Sequence, residues 1–349
     1  MDINVYRQAV KVARVLYDPD PRTTEEIFSP EDRQRFFDLH DVVTVDPSAR
    51  EKCYQQHLPA TEVLISQQAM DKPRLDAAPG LRAIFNVETN FLSNIDYDIC
   101  FARGIHVLTP ASVFAAPVAE IGLGMALTLA RDIHTAHVAF QQGKEQYGLV
   151  GNDRAELLTG SDIGFVGYGD LRKALHGLLQ PFNARIRVYD PWLPDNYLQR
   201  HGVESTTLEA VLNESRVVFV VAAVTTSNQQ LFNSDTLSLM QDGAMLILLS
   251  RAALADFNAL AAEAGSGRLR VATDVFPEEP VAADDPLRQV PNILFSAHRA
   301  GALTCALQQI GALVLDDLQQ ISAGLPPVSC RRAEQETISQ LRSIPVQES

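Results

Sequence analysis

The chain has few cysteines and fewer basic than acidic residues. Its 349 residues include only 4 cysteines, Cys53, Cys100, Cys305 and Cys330, which lack the paired spacing of a zinc site or a disulfide framework. Lys and Arg number 29 against 43 Asp and Glu, which gives a formal net charge of −14. Because phosphate binding needs a basic surface, this balance argues against nucleic acid and anionic membranes as partners.

Long apolar runs are also missing. The longest, such as Val217–Val224, are strand-sized, and none reaches the ~18 residues that a membrane-spanning helix needs. The N-terminus carries no apolar signal core, so no export signal is expected. Together with the unpaired cysteines, these absences predict a cytoplasmic protein with no metal site and no membrane partner.

What the chain does contain is enough apolar material for about two domains, since 46% of its residues are hydrophobic. Short apolar runs alternate with helix-like stretches, first up to about residue 110 and again from Asp162 onward. Such alternation predicts an α/β protein with two doubly wound parallel sheets. The predicted strands are Val12–Tyr17, Val42–Val45, Val63–Ile65, Ala83–Val87, Ile163–Val166, Arg185–Tyr189, Val217–Val221, Ala244–Leu248, Val271–Thr273 and Ile293–Ser296. The predicted helices are Pro30–Asp41, Asp71–Ala77, Ser112–Gln142, Leu171–Pro181, Thr207–Asn213, Ser234–Met240, Asp256–Gly265 and Cys305–Ala323.

A glycine-rich turn follows the strand Ile163–Val166. It reads Gly167-Tyr168-Gly169-Asp170-Leu171-Arg172, in which the first glycine permits a tight turn and the second lets the backbone approach a pyrophosphate. Asp190 follows Gly167 by 23 residues, the offset of a carboxylate that bonds the adenosine ribose. The pattern predicts dinucleotide binding. Alternatively, Asp190 is only a turn residue before Pro191.

Arg172 stands where such turns usually carry a third glycine, which lets the helix pack closely on the strand. Its side chain could point to solvent or to the phosphates and leave the turn intact. It could instead push the helix outward and weaken cofactor binding. The sequence leaves both alternatives open.

Three polar segments follow predicted strands, where open α/β sheets place their sites. They contain Arg251, Glu279 and His298 in that order. Arg can hold a carboxylate and polarise a carbonyl, and His can donate a proton to the developing alkoxide. A carboxylate beside the histidine favours the protonated ring and fixes its tautomer. Taken singly, the three could be a surface ion-pair partner, a residue of a solvated acidic loop and a structural histidine.

These segments resemble the D-isomer-specific 2-hydroxyacid dehydrogenase family over nearly the whole chain. The resemblance is carried by Gly167-x-Gly169 with Asp190, Ser250-Arg251, Asp274-Val275-Phe276-x-x-Glu279-Pro280, and Ala297-His298-x-Ala300-Gly301. Earlier segments also match, namely Asn94-Ile95-Asp96, Thr109-Pro110 and Val118-Ala119-Glu120.

The resemblance implies an NAD-dependent dehydrogenase that transfers a hydride between NAD(H) and a 2-keto or 2-hydroxy acid. It implies a flavodoxin-like substrate domain made of residues 1–111 and 302–349, with a Rossmann cofactor domain inserted at 112–301. A homodimer contact is implied along the 112–142 helix region. The implied catalytic residues are Arg251, Glu279 and His298, the implied cofactor-binding residues are Gly167, Tyr168, Gly169, Asp170, Leu171, Asp190, Ala223, Ser250 and Asp274, and the implied substrate-binding residues are Asn90, Phe91 and Arg251.

The substrate loop departs from the family pattern. It reads Thr89-Asn90-Phe91-Leu92-Ser93-Asn94-Ile95-Asp96 and lacks both usual glycines, so Asn90 and Phe91 would be the backbone donors. With Glu88 just before it, the loop is polar and bulky at its rim, which favours a polyhydroxylated acid, unless Glu88 pairs with an arginine instead.

Two smaller departures lie near the catalytic residues, where Ala252 and Ala297 replace the usual glycine and proline. A different class of function also remains open, a nucleotide-sensing binding protein like the transcriptional corepressors related to this family.

Overall fold

A computed structural model describes residues 13–88 and 91–341 of the chain. The chain divides into two compact units, one formed by the segments up to Phe114 and from Leu303 onward, and the other by Ala115–Ala302. The second unit is therefore an insertion in the first. The boundaries expected from the sequence, at 111/112 and 301/302, lie close to these positions.

The first unit is built on a six-stranded sheet within the described residues. Five of its strands are parallel, and a two-residue strand near the C-terminus joins one edge in antiparallel orientation. The strands are β1 (Arg14–Asp18), β2 (Asp41–Thr44), β3 (Val63–Ser66), β4 (Ala83–Phe85), β5 (His106–Thr109) and β13 (Arg331–Arg332). The helices are α1 (Thr24–Ile27), α2 (Pro30–Leu39), α3 (Arg50–His57), α4 (Lys72–Asp76), α5 (Tyr97–Arg103), α13 (Thr304–Leu307), α14 (Gln309–Ser322) and α15 (Gln335–Ile338).

The second unit carries a seven-stranded parallel sheet. Its central strands are buried along their whole length, as expected for strands that helices cover on both faces. The strands are β6 (Asp162–Val166), β7 (Arg185–Tyr189), β8 (Glu204–Ser205), β9 (Val217–Val220), β10 (Met245–Leu248), β11 (Arg270–Thr273) and β12 (Ile293–Phe295). The helices are α6 (Ala115–Ala130), α7 (Ile133–Gln141), α8 (Asp170–Leu179), α9 (Asp195–Arg200), α10 (Leu208–Glu214), α11 (Ser234–Ser238) and α12 (Phe257–Gly265).

The strand orders confirm the predicted fold class of two doubly wound sheets. In the first unit the parallel strands run β2-β1-β3-β4-β5, the flavodoxin-like order. In the second unit they run β12-β11-β10-β9-β6-β7-β8, so the direction of winding reverses between β9 and β6. Ligands of open α/β sheets bind at such a reversal, outside the carboxyl ends of the strands.

Two long helices predicted from the sequence are each broken in the structure. The segment predicted as Ser112–Gln142 consists of a short 3-10 turn, then α6, then α7. Asp132 separates the two α-helices with a left-handed backbone, φ 50°, which no α-helix can continue through. The segment predicted as Cys305–Ala323 is split at Gln308 into α13 and α14. Apolar periodicity runs through both breaks, which is why the sequence did not reveal them.

The segment Ala111–Ala130 is long and apolar enough to cross a membrane by length and composition. It was not expected from the sequence because Glu120 interrupts the apolar run. Core helices meet the same criterion, and α6 contributes Ala119, Ala126 and Ala130 to the core of the second unit.

The C-terminal segment is attached to the first unit by the buried carboxylate of Asp317 on α14. Its Oδ1 accepts hydrogen bonds from the backbone N–H groups of Val328 and Ser329, at 2.6 and 2.8 Å, and its Oδ2 from that of Cys330, at 2.8 Å. These bonds fix the chain just before β13, which then pairs with β5.

We predict that Asp317→Ala lowers the free energy of unfolding by about 3 kcal/mol, because three backbone donors lose a charged acceptor. Urea denaturation followed by circular dichroism measures the change. The matched control is Asp316→Ala, since Asp316 is exposed and, within residues 13–88 and 91–341, its recorded hydrogen bond is from the Ser329 hydroxyl, at 3.3 Å. Equal losses for the two variants would contradict the assignment.

Candidate active site

The sequence-predicted residues of the second unit gather at the carboxyl edge of its sheet. Gly167 follows β6, Asp190 follows β7, and Ala223 lies beyond the end of β9. Ser250 and Arg251 come after β10, Asp274 follows β11, and His298 lies just past β12. Because all these strands are parallel, their carboxyl ends form one edge, which includes the point where the winding reverses.

Gly167 makes the tight turn that the sequence predicted. Its φ is +97°, and a Cβ added there would lie 2.6 Å from the Cα of Ala222. A side chain at position 167 is therefore disfavoured for two reasons, the left-handed backbone conformation and the close approach of the loop after β9. The turn is also tied to the next strand, since the Gly167 N–H donates to the carbonyl of Tyr189 at 2.9 Å.

The second glycine, Gly169, has open space at the position that its Cβ would occupy, unlike Gly167. No atom lies within 4 Å of the position that its Cβ would occupy, and Gly169 is the N-cap of α8 without a side-chain cap. The first N–H groups of α8 therefore lack a side-chain acceptor, which is the arrangement that binds phosphate at a helix N-terminus. The cradle fits the pyrophosphate of a dinucleotide.

Asp190 is held in place by two backbone donors. Its Oδ2 accepts the N–H of Tyr168 at 2.8 Å, and its Oδ1 accepts the N–H of Trp192 at 2.9 Å. Each carboxylate oxygen keeps a further lone pair that can accept a ribose hydroxyl. The bond to Trp192 is the turn contact expected before Pro191, and the bond to Tyr168 ties the carboxylate to the glycine-rich turn. Its contact with the adenosine ribose stays a prediction.

Arg172 takes neither of the two positions considered from the sequence. Its side chain is buried, with 1% of the residue exposed. The guanidinium carbon lies 3.6 Å from the centroid of the Tyr168 ring and 5.4 Å from that of Phe165. Burial lowers the pKa of Arg172 to about 10. The turn before it remains intact, as the Gly167 contacts demonstrate.

Asp274 fixes the backbone around the candidate catalytic histidine. The carboxylate is buried, and its oxygens accept the N–H groups of Arg299 and Ala300, each at 3.1 Å. Its carbonyl oxygen accepts the N–H of His298 at 2.7 Å. The contact with a nicotinamide amide, which the family resemblance implies for Asp274, stays a prediction.

His298 and Glu279 form a close polar pair in the site. The Nδ1 of His298 lies 2.6 Å from Oε2 of Glu279, whose Oε1 accepts the N–H of Phe276 at 2.9 Å. His298 adopts a left-handed backbone, φ 47°, which is uncommon for a residue with a side chain and recurs at functional sites. The pair leaves Nε2 as the ring nitrogen that can meet a substrate.

The side chain of Arg251 is half-buried next to the same edge. Its Nη1 donates to the carbonyl of Ser250 at 2.6 Å, and the Ser250 hydroxyl donates to the carbonyl of Val220 at 3.3 Å. The carbonyl of Ala223 accepts a bond from the Asn228 side chain at 2.8 Å. These contacts order the loops that carry the three predicted site residues.

The substrate-loop predictions fall in the first unit. Asn90 lies outside the described residues. Phe91 is buried in the core of that unit, and the guanidinium carbon of Arg331 lies 5.8 Å from its ring centroid. Glu88 is bound by Arg22, whose Nε lies 2.6 Å from Oε1 of Glu88. The alternative in which Glu88 pairs with an arginine is therefore the one observed.

Some residues that hold the predicted ones in place were not expected from the sequence. Trp192 acts through its backbone N–H group, which any residue type supplies, so the sequence carried no signal for it. Tyr168, which was expected among the cofactor-binding residues, acts on Asp190 in the same way. Arg22 lies far from Glu88 along the chain. The role of Asp274 in holding residues 299 and 300 could not be separated from a direct ligand role. Among the described residues, no group of three His, Cys, Asp or Glu side chains is placed to hold a metal ion.

The chain is similar to known proteins of one family. Residues 123–300 match the family model for the D-isomer specific 2-hydroxyacid dehydrogenase NAD binding domain. The chain is 27% identical to a hydroxypyruvate reductase of Thermotoga maritima over 75% of this chain and 85% of the relative, and 30% identical to a glyoxylate reductase of Thermofilum pendens over 74% and 77%. It is 46% identical to a solved phosphoglycerate oxidoreductase from Rhizobium etli, with a TM-score of 0.84 over 93% of this chain and 100% of the other.

We predict that Gly167→Ala and Gly169→Ala separate two roles of the turn. Gly167→Ala should lower the melting temperature and NADH affinity together, because its Cβ meets the Ala222 backbone. Gly169→Ala should leave the melting temperature unchanged and weaken NADH binding about tenfold or more, because its Cβ enters the phosphate cradle. Thermal melts and fluorescence titrations measure both. Parental NADH affinity in Gly169→Ala would place the pyrophosphate elsewhere.

Proposed function

Because the chain belongs to the D-isomer specific 2-hydroxyacid dehydrogenase family, we propose that it interconverts a 2-keto acid and its 2-hydroxy acid with His298 as the acid–base residue. The family performs NAD-dependent oxidoreduction of such acids, and this chain is an NAD-dependent dehydrogenase. The observation that carries the assignment of His298 is its 2.6 Å contact with Glu279. General acid–base histidines commonly have a carboxylate at one ring nitrogen, which leaves the other ring nitrogen to exchange a proton with the substrate.

The proton is moved by the His298–Glu279 pair in the proposed mechanism. When bound, the nicotinamide supplies or accepts the hydride. Nε2 of His298 donates a proton to the carbonyl oxygen during reduction and removes it from the hydroxyl during oxidation. Glu279 holds Nδ1, so the proton to be transferred sits on Nε2, and its negative charge stabilises the protonated ring. Asp274 keeps the histidine backbone in its left-handed conformation.

Substrate orientation is assigned to Arg251 and to the loop after β4. The planar guanidinium of Arg251 can hold a carboxylate through two parallel hydrogen bonds and polarise the adjacent carbonyl. We assign substrate contacts in the first unit to the backbone N–H groups of Asn90 and Phe91. In this proposal the unit Ala115–Ala302 is the cofactor domain, and the first unit is the substrate domain.

The acid itself is proposed at the level of its class. The relatives named above act, by their names, on hydroxypyruvate, glyoxylate and phosphoglycerate, which are short 2-keto or hydroxy acids. The hypothesis of a polyhydroxylated substrate was based on Glu88, and Arg22 already occupies that carboxylate. A preference for polyhydroxylated acids is therefore not proposed, and the substrate is proposed only as a short 2-keto or 2-hydroxy acid.

We also propose a homodimer formed through the region that follows α6. Apolar side chains between residues 133 and 157 are exposed, including Ile133, Phe140, Leu149, Val150 and Leu157. Exposed apolar surface of this kind marks an interface with another chain. Phe140→Asp with Leu149→Asp should convert the dimer to a monomer in sedimentation, whereas Leu325→Asp, at an exposed leucine of the first unit, should not. A monomeric parent chain would refute the proposal.

The main test of the proposed function is the pH dependence of the reaction. Glu279→Gln removes the negative charge beside Nδ1, which stabilises the ring that donates the proton during reduction. The alkaline limb of the reduction rate should therefore move to lower pH. Initial rates of NADH oxidation between pH 5 and about 10 measure the shift. An unchanged profile would remove Glu279 from the mechanism.

His298→Ala serves as the control in the same assay. It should lower kcat by about a hundredfold or more and leave NADH binding intact, because only proton transfer is lost. Glyoxylate, hydroxypyruvate and a longer hydroxylated 2-keto acid form the substrate panel, with kcat/KM as the measure of preference. If no acid on the panel is reduced although NADH binds tightly, the chain acts as a nucleotide sensor instead.

A further inference from the structure

A buried arginine lies in the first turn of the helix that follows the cofactor turn. The guanidinium carbon of Arg172 lies over the ring of Tyr168, at 3.6 Å, and over that of Phe165, at 5.4 Å. Its Nε and Nη2 have no hydrogen-bond partner in the described part of the chain. Buried arginine is normally paired with a carboxylate or with carbonyl groups, so this one is unusual.

Burial of the Arg172 charge lowers the stability of the protein without cofactor. Arg172 lies in the first turn of α8, where the helix dipole already places partial positive charge. The neighbouring groups that titrate are His176 and His201, and neither supplies negative charge. Burial, Arg172 and His201 lower the pKa of His176 to about 4, so that ring is neutral at physiological pH. Tyr168 favours the charged guanidinium, but burial outweighs it, and no carboxylate of the described residues forms an ion pair with Arg172.

The aromatic neighbours of Arg172 lead to Asp190, the residue predicted to bind the adenosine end of NAD. The Tyr168 ring meets Tyr197 and His201 edge to face, at centroid distances of 6.2 and 5.8 Å. The N–H of Tyr168 donates to Asp190 at 2.8 Å. The guanidinium of Arg172 thus packs on the ring of Tyr168, and Tyr197 and His201 pack on the same ring edge to face. The backbone N–H of Tyr168 holds Asp190 in place.

We propose that Arg172 is a positioning residue for NAD, which braces Tyr168 and adds positive charge behind the phosphate-binding turn. Its charge is only partly compensated until the anionic pyrophosphate binds across the turn, so binding recovers part of the cost of burial. The proposal depends on NAD binding by this turn and is independent of the acid that the enzyme reduces.

A consequence concerns the glycine that most such turns carry at this position. Restoring it with Arg172→Gly removes the brace under Tyr168 and leaves a cavity between the helix and the strand. We expect this variant to bind NADH more weakly than the parent, although it completes the G-x-G-x-x-G pattern. Neither the motif nor the family resemblance predicts this direction.

The experiment combines NADH affinity with the stability of the protein without cofactor. Trp192 is the only tryptophan of the chain, and its N–H donates to Asp190, so its fluorescence reports binding at the adenosine end directly. Arg172→Met and Arg172→Gln remove the charge and retain much of the side-chain volume. Arg172→Lys retains the charge and loses the planar stack. Arg185→Met is the charge-matched control, because Arg185 is exposed at the opposite end of β7 and pairs with Asp162.

Arg172→Met should weaken NADH binding about tenfold or more, while the melting temperature of the protein without cofactor stays equal or rises. Arg172→Lys should recover part of the lost affinity, and Arg185→Met should bind like the parent. If Arg172→Met does not fold, Arg172→Gln takes its place in the comparison. Affinity for NADH within twofold of the parent in the folded neutral variant, or tighter binding in Arg172→Gly, would overturn the proposal.

Discussion

The site depends above all on one buried carboxylate, that of Asp274. Asp274 directly follows β11, and its carboxylate accepts hydrogen bonds from the backbone N–H groups of Arg299 and Ala300. The backbone carbonyl of Asp274 accepts a hydrogen bond from the N–H of His298. Three bonds from one residue hold a segment that would otherwise be an unconstrained loop after β12. The left-handed backbone of His298 persists because these bonds fix both sides of it. Without them the histidine would have no fixed position relative to Glu279.

Much of the fold was predictable because strand and turn chemistry is local. The central strands of both units are short apolar runs buried on both faces, and each of the ten predicted strands overlaps an observed one. The carboxyl edge of the second sheet follows from strand direction alone, so the gathering of Asp190, Arg251 and His298 there needed no tertiary information. Periodicity failed where a single backbone torsion decides the outcome, as at Asp132, because a left-handed residue leaves no trace in the apolar pattern.

The parts of the site that escaped prediction are those set by partners distant in sequence. Glu88 looked available beside the substrate loop, yet Arg22 from the loop after β1 binds it. Strand β5 and helix α3 were missed because their apolar residues are few and interrupted by polar ones. The backbone donors that hold Asp190 carry no side-chain signature at all. Predicting the contacts of Glu88 and Asp190 requires knowing which distant segments of the chain pack together.

Arg172 combines both kinds of limit. In the sequence it is a departure from the glycine pattern. A large side chain there could either leave the turn intact or push the helix outward. The structure offers a third arrangement, in which the guanidinium lies over two aromatic rings and the turn keeps its geometry. A side chain can replace glycine here because Tyr168 and Phe165 provide flat faces on which a planar cation stacks. The third glycine of such a turn therefore meets a packing requirement, and packing requirements can be met by other residues when the neighbouring side chains differ. The first glycine meets a backbone requirement at φ +97° against Ala222, for which no side chain can substitute. That difference explains why this chain keeps Gly167 and can carry arginine at position 172.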